Sequence, residues 1–323
     1  MNAAPDRIAL AIGDPNGVGP EIAVRAAISP AAASPLLVGD AHVIRHYVAA
    51  LAPGMDTRET DGSAPARAGV IDIAPVEALA PADFAPGRVD AAAGRATVAY
   101  VEAAIGLAKA GKVRAIVACP HNETAVNAAG IPFSGYPELV AQILGLPPGR
   151  VFMMFVGGGL RIVHATLHEQ LSGALARLTP ELVEAAALAA AEALGRLGIA
   201  RPRIGLFGIN PHAGEGGLFG DDDTRINVPA AARLRAAGLD VEGPVGADLL
   251  IGQERFDAFV AMYHDQGHIP VKLLAGRKAS ALSIGAGLLF STVGHGSAHD
   301  IAGQMRADPE AVLRTLTLLG GAR

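Results

Sequence analysis

The sequence predicts an α/β protein built on a mainly parallel sheet with helices over both faces. Three observations predict it. Short, wholly apolar runs alternate with longer stretches of helical character. Several helical stretches carry proline in their first turn or glycine just past their last. The chain has 323 residues, 51% of them hydrophobic, which is enough for one large or two medium domains around a sizeable core.

The elements follow in order. Ile8–Ile12 is an apolar run stopped by Gly13-Asp14-Pro15, a strand and then a loop. Gly19-Pro20-Glu21 opens a helix through Ala27, and Leu36–Val38 is a second strand. Residues 52–95 are rich in Pro, Gly and Ala and predict an excursion with short strands such as Val70–Ile73. Gly94–Lys112 has helical spacing, and Ala115–Ala118 is a buried strand leading to Cys119-Pro120-His121. Val151–Val156 and Leu160–Ala165 form a hairpin through Gly157-Gly158-Gly159. Thr179 caps an alanine-rich helix over Pro180–Leu197. Ile204–Ile209 ends on Asn210-Pro211-His212, and Ala258–Met262 ends on Tyr263-His264-Asp265. Pro309–Leu319 is the closing helix.

Composition excludes several classes of function. The formal charge is −5 and there is no basic stripe, so no nucleic-acid partner is expected. No run approaches the length of a membrane span, and the N-terminus carries no signal-like apolar run. A single cysteine, Cys119, fits a reducing compartment, so the expected location is cytoplasmic. Cys119 itself reads as a small buried hydrophobe, not a nucleophile.

His121, His168, His212 and His264 each lie just after an apolar run. Ligands in such sheets collect beyond the strand carboxyl ends, so a shared site is expected there. Neutral imidazole is the commonest ligand for zinc and similar ions, and a catalytic metal usually takes three protein donors. Taken singly, each histidine reads as an ordinary loop or core residue; their shared position after strands is what sets them apart. Asp265 beside His264 and Glu215 near His212 are candidate orienters. His164 reads as structural or supporting, and His268 and His299 stay open. GDPNGVGPE resembles neither the Walker nor the dinucleotide pattern, but its helix N-terminus could receive an anion. In HGSAHDIAG, Asp300 is placed to accept hydrogen bonds from a ribose diol and to repel a 2′-phosphate, which favours NAD over NADP. A helix cap at Ser297 or Asp300 is the alternative there.

The segments GDPNGVGPEI, CPHNETAVNAAGIPFSGYPE, NPHAGEGGLFG, GPVGAD, MYHDQGHIPVK and HGSAHDIAG occur in order. Together they resemble the 4-hydroxythreonine-4-phosphate dehydrogenase family over nearly the whole chain. HGSAHDIAG also resembles the adenosine-binding loop of isocitrate and isopropylmalate dehydrogenases. The resemblance implies a two-domain α/β/α subunit of isocitrate/isopropylmalate dehydrogenase type, not a Rossmann fold. It implies a first domain over residues 1–125 with 284–323 and a second over 126–283, with cofactor and substrate in the cleft between them. It implies a homodimer with a shared active site and a small-molecule substrate.

The family's metal ligands fall on His168, His212 and His264, for zinc or else magnesium, manganese or cobalt. Its substrate contacts fall on His121, Asn122 and Lys272. The cofactor, NAD, is expected on His295, Gly296, Ala298 and Asp300. His121, Lys272, Asp248 and Asp265 are the catalytic candidates, the two aspartates as base or orienter. The family's phosphate-holding asparagine and arginine, counted forward without a gap, fall on Ala281 and Phe290, an apolar pair better suited to a carbocyclic ring. VACPHNETAV, LRIVHATLHE and LSIGAGLLFSTVGHGSA resemble the terephthalate dihydrodiol dehydrogenase branch, which implies oxidation and decarboxylation to protocatechuate, carbon dioxide and NADH. A dehydrogenase of a 4-phosphorylated hydroxy acid is the rival, should Lys272, Arg277 or Lys278 replace the lost contacts. A metal-binding protein without turnover is a second.

Overall fold

A computed structural model describes residues 7–32 and 34–320, with the side chain of Arg277 outside the described set. The chain divides into two compact units, residues 1–134 with 288–322 and residues 135–287.

The first unit begins β1 (Ile8–Ala11), α1 (Gly19–Ala27), β2 (Leu36–Gly39), α2 (Ala41–Leu51), β3 (Asp56–Glu59), β4 (Val70–Pro75), α3 (Ala91–Lys109), β5 (Ala115–Ala118) and α4 (Glu123–Ala128). The second runs through α5 (Tyr136–Leu144), β6 (Phe152–Gly157), β7 (Leu160–His164), α6 (Leu171–Arg177), α7 (Pro180–Arg196), β8 (Arg203–Phe207), α8 (Val228–Ala236), β9 (Asp240–Val245), α9 (Ala247–Leu250), β10 (Ala258–Ala261), α10 (His264–Ala275) and β11 (Ser280–Ile284). The first unit closes with β12 (Leu289–Val293) and α11 (Glu310–Leu319).

In the first unit the strands lie in the order β3-β4-β2-β1-β5-β12, and every neighbouring pair is parallel. β1, β2 and β5 are buried along their whole length, as strands covered on both faces must be. α1 packs on α2 and α11, while α3 packs on β1, β2 and β5. Because all six strands run one way, the segments after β1, β5 and β12 meet at one edge. Those segments carry Asp14, His121 and the loop from His295.

The second unit orders its strands β11-β6-β7-β10-β8-β9. The β6–β7 hairpin and the β11–β6 pair are antiparallel, and β7, β10, β8 and β9 are parallel neighbours. Met153, Phe155, Ile162, Phe207, Phe259 and Val271 belong to one buried cluster between β6, β7, β8, β10 and α10. Each side chain of that size contributes about 1.5–3 kcal/mol by leaving water. The fold is thus mixed α/β with mostly parallel strands, as the alternation of runs predicts.

Among the described residues the sequence reading places α1, α3, α7 and α11 and leaves the other helices out, two of them for plain physical reasons. α10 contains Pro270, and a proline ordinarily ends a helix. α2 begins directly after a strand on Asp40, whose carboxylate accepts from the Ala78 and Leu79 backbone and the Tyr100 hydroxyl instead of capping the helix.

Candidate functional site

β7, β10 and β8 lie side by side and parallel, so His168, His264 and His212 leave one edge of the second unit. Two polar side chains fix that edge. Thr166 Oγ1 donates to the Met262 carbonyl at 2.7 Å, tying the end of β7 to that of β10. Gln266 accepts from Met262 N and donates to the Gly208 carbonyl, both at 2.7 Å, tying β10 to β8. His168 and His264 are brought together, their ring centroids 5.5 Å apart. They share a cavity of about 300 Å³ with Glu169, Tyr263, Leu167 and Leu171. A larger hollow of about 710 Å³, with Glu138, Met153, His164 and Arg177 among its walls, also reaches His168.

His264 is held from two sides. Asp265 Oδ1 lies 2.7 Å from its Nδ1, an arrangement that suits Nε2 to act as the donor atom toward a metal. His268, one turn later on α10, stacks on it at 3.9 Å and 16°, and Phe155 stacks on the far face of His268 at 4.5 Å. His164 is buried beneath, its Nδ1 3.3 Å from the Met153 carbonyl and its Nε2 3.3 Å from His268 Nδ1. Gly267 permits this approach, since a Cβ there would meet His164 Nε2 at 2.5 Å. Desolvation holds the His164 imidazole at about 4. Desolvation and then the neighbouring His164 and His264 hold His268 at about 3. Both rings are therefore neutral at ordinary pH. The i, i+4 spacing of His264 and His268 is the signal that could have placed His268 here, had α10 been foreseen.

His212 stands on the turn Pro211–Gly217, and its side chain is 63% exposed. Its Nδ1 lies 2.9 Å from Glu215 Oε2, the same carboxylate-on-imidazole device as at His264. His212, Ala213 and Glu215 all have positive φ, at 51°, 53° and 44°. This run costs roughly 1–2 kcal/mol per non-glycine residue. The turn is anchored at its base by Asp223, fully buried, which accepts from Ile209 N at 2.8 Å and Asn210 N at 3.0 Å. Sequence reasoning missed Asp223.

The donor chemistry fits a divalent metal: imidazoles on one edge, two of them with Nδ1 engaged by a carboxylate. Among the described residues, no three His, Cys, Asp or Glu side chains already stand at ligating separations. His168 and His264 are adjacent, and His212 is on its own turn.

The remaining candidates separate. Asp265 orients His264, and Asp248 is an exposed residue in the first turn of α9, its carboxylate beside Gly246. Lys272 is exposed, its ammonium 5.3 Å from the centre of the Phe155 ring. The expectation is corrected at Phe290. Phe290 is wholly buried in β12 opposite Ile116, and Ala281 pairs with Phe155 inside the sheet. A side chain with no exposed surface touches no ligand, so Phe290 does not line a substrate site, whereas Ala281 is only partly buried and keeps some exposed surface.

In the first unit, β5 delivers His121, whose ring packs edge-on against Phe133 at 4.7 Å. Burial lowers its pKa, against the pull of Glu123 and Asp14. Asn122 caps α4, its Oδ1 accepting from Ala125 N at 2.9 Å. Cys119 is buried, and desolvation raises its thiol far above the usual range. After β12, His295 Nδ1 lies 3.1 Å from the Gly296 carbonyl, Ala298 has φ 41°, and Asp300 is exposed. A Cβ on Gly296 would meet nothing within 4 Å, so the backbone of the loop is open there, near the exposed Asp300. The expected anion position at the α1 N-terminus is corrected: Val18 N donates to the Ser297 carbonyl at 2.8 Å, and the motif is buried throughout.

The family described as pyridoxal phosphate biosynthetic protein PdxA matches residues 31–319. The chain is 48% identical over 315 residues to a 1,2-dihydroxy-3,5-cyclohexadiene-1,4-dicarboxylate dehydrogenase of a Comamonas species, covering 97% of each. It is 40% identical over 321 residues to the D-threonate 4-phosphate dehydrogenase of Cupriavidus necator, covering 96% of this chain and 95% of that one. Among solved structures, a terephthalate 1,2-cis-dihydrodiol dehydrogenase from Burkholderia xenovorans is 55% identical, with a TM-score of 0.79 and 98% of each chain covered.

Proposed function

The chain belongs to the PdxA family of dehydrogenases, and from that premise we propose that it is a metal-dependent, NAD-linked enzyme that oxidises and decarboxylates terephthalate dihydrodiol to protocatechuate. One observation carries the choice of substrate. Identity to the two diol dehydrogenases is 48% and 55% over nearly full length, against 40% for the threonate 4-phosphate enzyme. The apolar and aromatic walls around His168 and His264, Leu167, Leu171 and Tyr263, suit a ring.

The reaction balances without another reactant. The ring carbon bearing the secondary hydroxyl loses a hydride to NAD, and the hydroxyl loses its proton to a base. The new ketone is β to a carboxylate, which leaves as carbon dioxide; its electron pair passes onto the ketone oxygen, which takes back the proton from the base, and the ring becomes an aromatic diol. A divalent metal, zinc by the preference of imidazole donors and otherwise magnesium, manganese or cobalt, supplies Lewis acidity toward the substrate oxygens. His168, His212 and His264 would hold it, with Glu215 and Asp265 fixing two of the rings. Asp300 would accept hydrogen bonds from the cofactor ribose, with His295, Gly296 and Ala298 shaping the loop. His121 and Asn122 would contact the substrate. Lys272 would offset a substrate carboxylate or pass a proton, and Asp248 is the exposed candidate base.

The test is NADH formation, followed by its absorbance, with the terephthalate diol and separately with 4-phosphorylated threonine and threonate. The expected kcat/KM ratio is about a thousandfold in favour of the diol. Turnover confined to the phosphorylated acids would replace this reading with the rival. NAD binding with no turnover of any of them would favour a protein without activity.

We further infer a homodimer. α10 exposes Ile269, Leu273 and Leu274 along its outer side, at 52%, 80% and 61%. Apolar side chains exposed together in this way mark association surfaces. Leu273→Glu is expected to halve the mass measured by light scattering. A wild-type mass of one chain would end the proposal.

A further inference from the structure

The motif GDPNGVGPE and the residue His299 are both unused by the chemistry above, and the structure joins them. Asp14, in the turn after β1, is wholly buried, and its Oδ1 accepts from Asn16 N at 2.9 Å. Its Oδ2 lies 3.2 Å from His299 Nε2, and the two atoms have no other polar partner among the described residues. The two atoms stand within polar contact distance without the alignment of a good hydrogen bond. On the other side of the ring, His299 Nδ1 lies 3.1 Å from Ser297 Oγ. Ser297 is itself pinned, since its carbonyl accepts from Val18 N at 2.8 Å. Gly17 makes the approach possible, because a Cβ there would stand 2.7 Å from Ser297 Cβ.

The loop is fastened again downstream. Glu21, fully buried on α1, accepts from Ala307 N at 2.8 Å and from Arg25 Nε at 3.0 Å. Arg25 in turn donates to the Met305 carbonyl. Ala298, at φ 41°, lies within the first fastening, and Asp300 lies between the first and the second. An alanine with left-handed backbone reverts to the ordinary regions unless its surroundings hold it. Ser297 and His299 are the residues on either side of it.

We propose that His299 is a positioning residue for the cofactor: with Asp14 and Ser297 it forms a latch that fixes the kink at Ala298 and so aims the Asp300 carboxylate. This rests on the reading that residues 295–300 bind NAD. The latch explains why a buried carboxylate and an imidazole face each other in a segment with no reacting group. It also assigns the N-terminal glycine motif a task, that of a platform for the loop, in place of anion binding.

Binding of NADH to the free enzyme, read from the nucleotide's own fluorescence, tests it without relying on turnover. His299→Ala is expected to raise the NADH Kd and the KM for NAD about tenfold, with kcat at saturation within about twofold. His299→Gln, whose amide can reach Asp14, is expected to recover most of the loss. Asp14→Asn should weaken binding, and the double variant with His299→Ala should be no worse than the more affected single one, because both act through one contact. Asp300→Ala is the control for the underlying reading. If Asp300→Ala weakens binding and neither His299 variant does, the latch is overturned and the cofactor loop stands. If Asp300→Ala also leaves the Kd unchanged, the cofactor reading fails and the latch with it. Equal Kd values for His299→Ala and His299→Gln, both raised, would likewise overturn it, since the proposed contact would then not be what matters.

Discussion

His212→Ala is expected to abolish stoichiometric metal binding in calorimetric titration and to lower kcat/KM about a thousandfold or more, the worth of several kcal/mol of charge stabilisation at the substrate oxygens. The residue is well chosen for the test because its side chain is 63% exposed and, among the described residues, its contacts are with Glu215 and, edge-on, with Phe219. Its loss should therefore move the unfolding midpoint little, within the usual surface range of about 0.5 kcal/mol. His264→Ala should cost as much activity but also some stability, since that ring is stacked on His268. Full activity of His212→Ala in metal-free buffer would sink the three-histidine site. Loss of activity with metal binding intact would move His212 from ligand to substrate contact.

What the sequence made legible depended on range. Strands such as Ile8–Ala11 and Ala115–Ala118 are wholly apolar, and the helix from Pro180 carries its own cap, so each was readable locally. The placement of histidines after strands was readable for the same reason, and parallel pairing of β7, β10 and β8 puts three of them on one edge. Contacts between distant segments were not legible. The Phe155–His268–His264 stack joins residues far apart in sequence, and its helix is disguised by Pro270. Counting forward to Phe290 failed because β12 is covered on both faces: Leu289, Phe290 and Ser291 are all buried, and composition alone does not tell such a strand from a site-lining segment. Neither spacing nor composition marked Asp14 and His299 as partners, since only the fold brings the turn after β1 to the loop after β12.

Asp223→Ala is expected to lower the unfolding free energy by about 2–4 kcal/mol, measured in urea, and to weaken metal binding on the order of tenfold to a hundredfold. The carboxylate accepts from two backbone N–H groups at the base of the His212 turn and from Asn227 Nδ2 at 2.8 Å. Removing it leaves the backbone donors of Ile209 and Asn210 without their acceptor. The turn above it holds three non-glycine residues at positive φ, a conformation that relaxes once its footing is lost. Asp223→Asn keeps one acceptor oxygen, and it should show roughly half the loss in both measurements. Stability and metal affinity should thus fall in step, because the same carboxylate holds the fold and aims His212. An Asp223→Ala protein that unfolds as the wild type does would show that the turn stands without its anchor. A destabilised variant with unchanged metal affinity would show that His212 does not need the turn's strained shape to reach the metal.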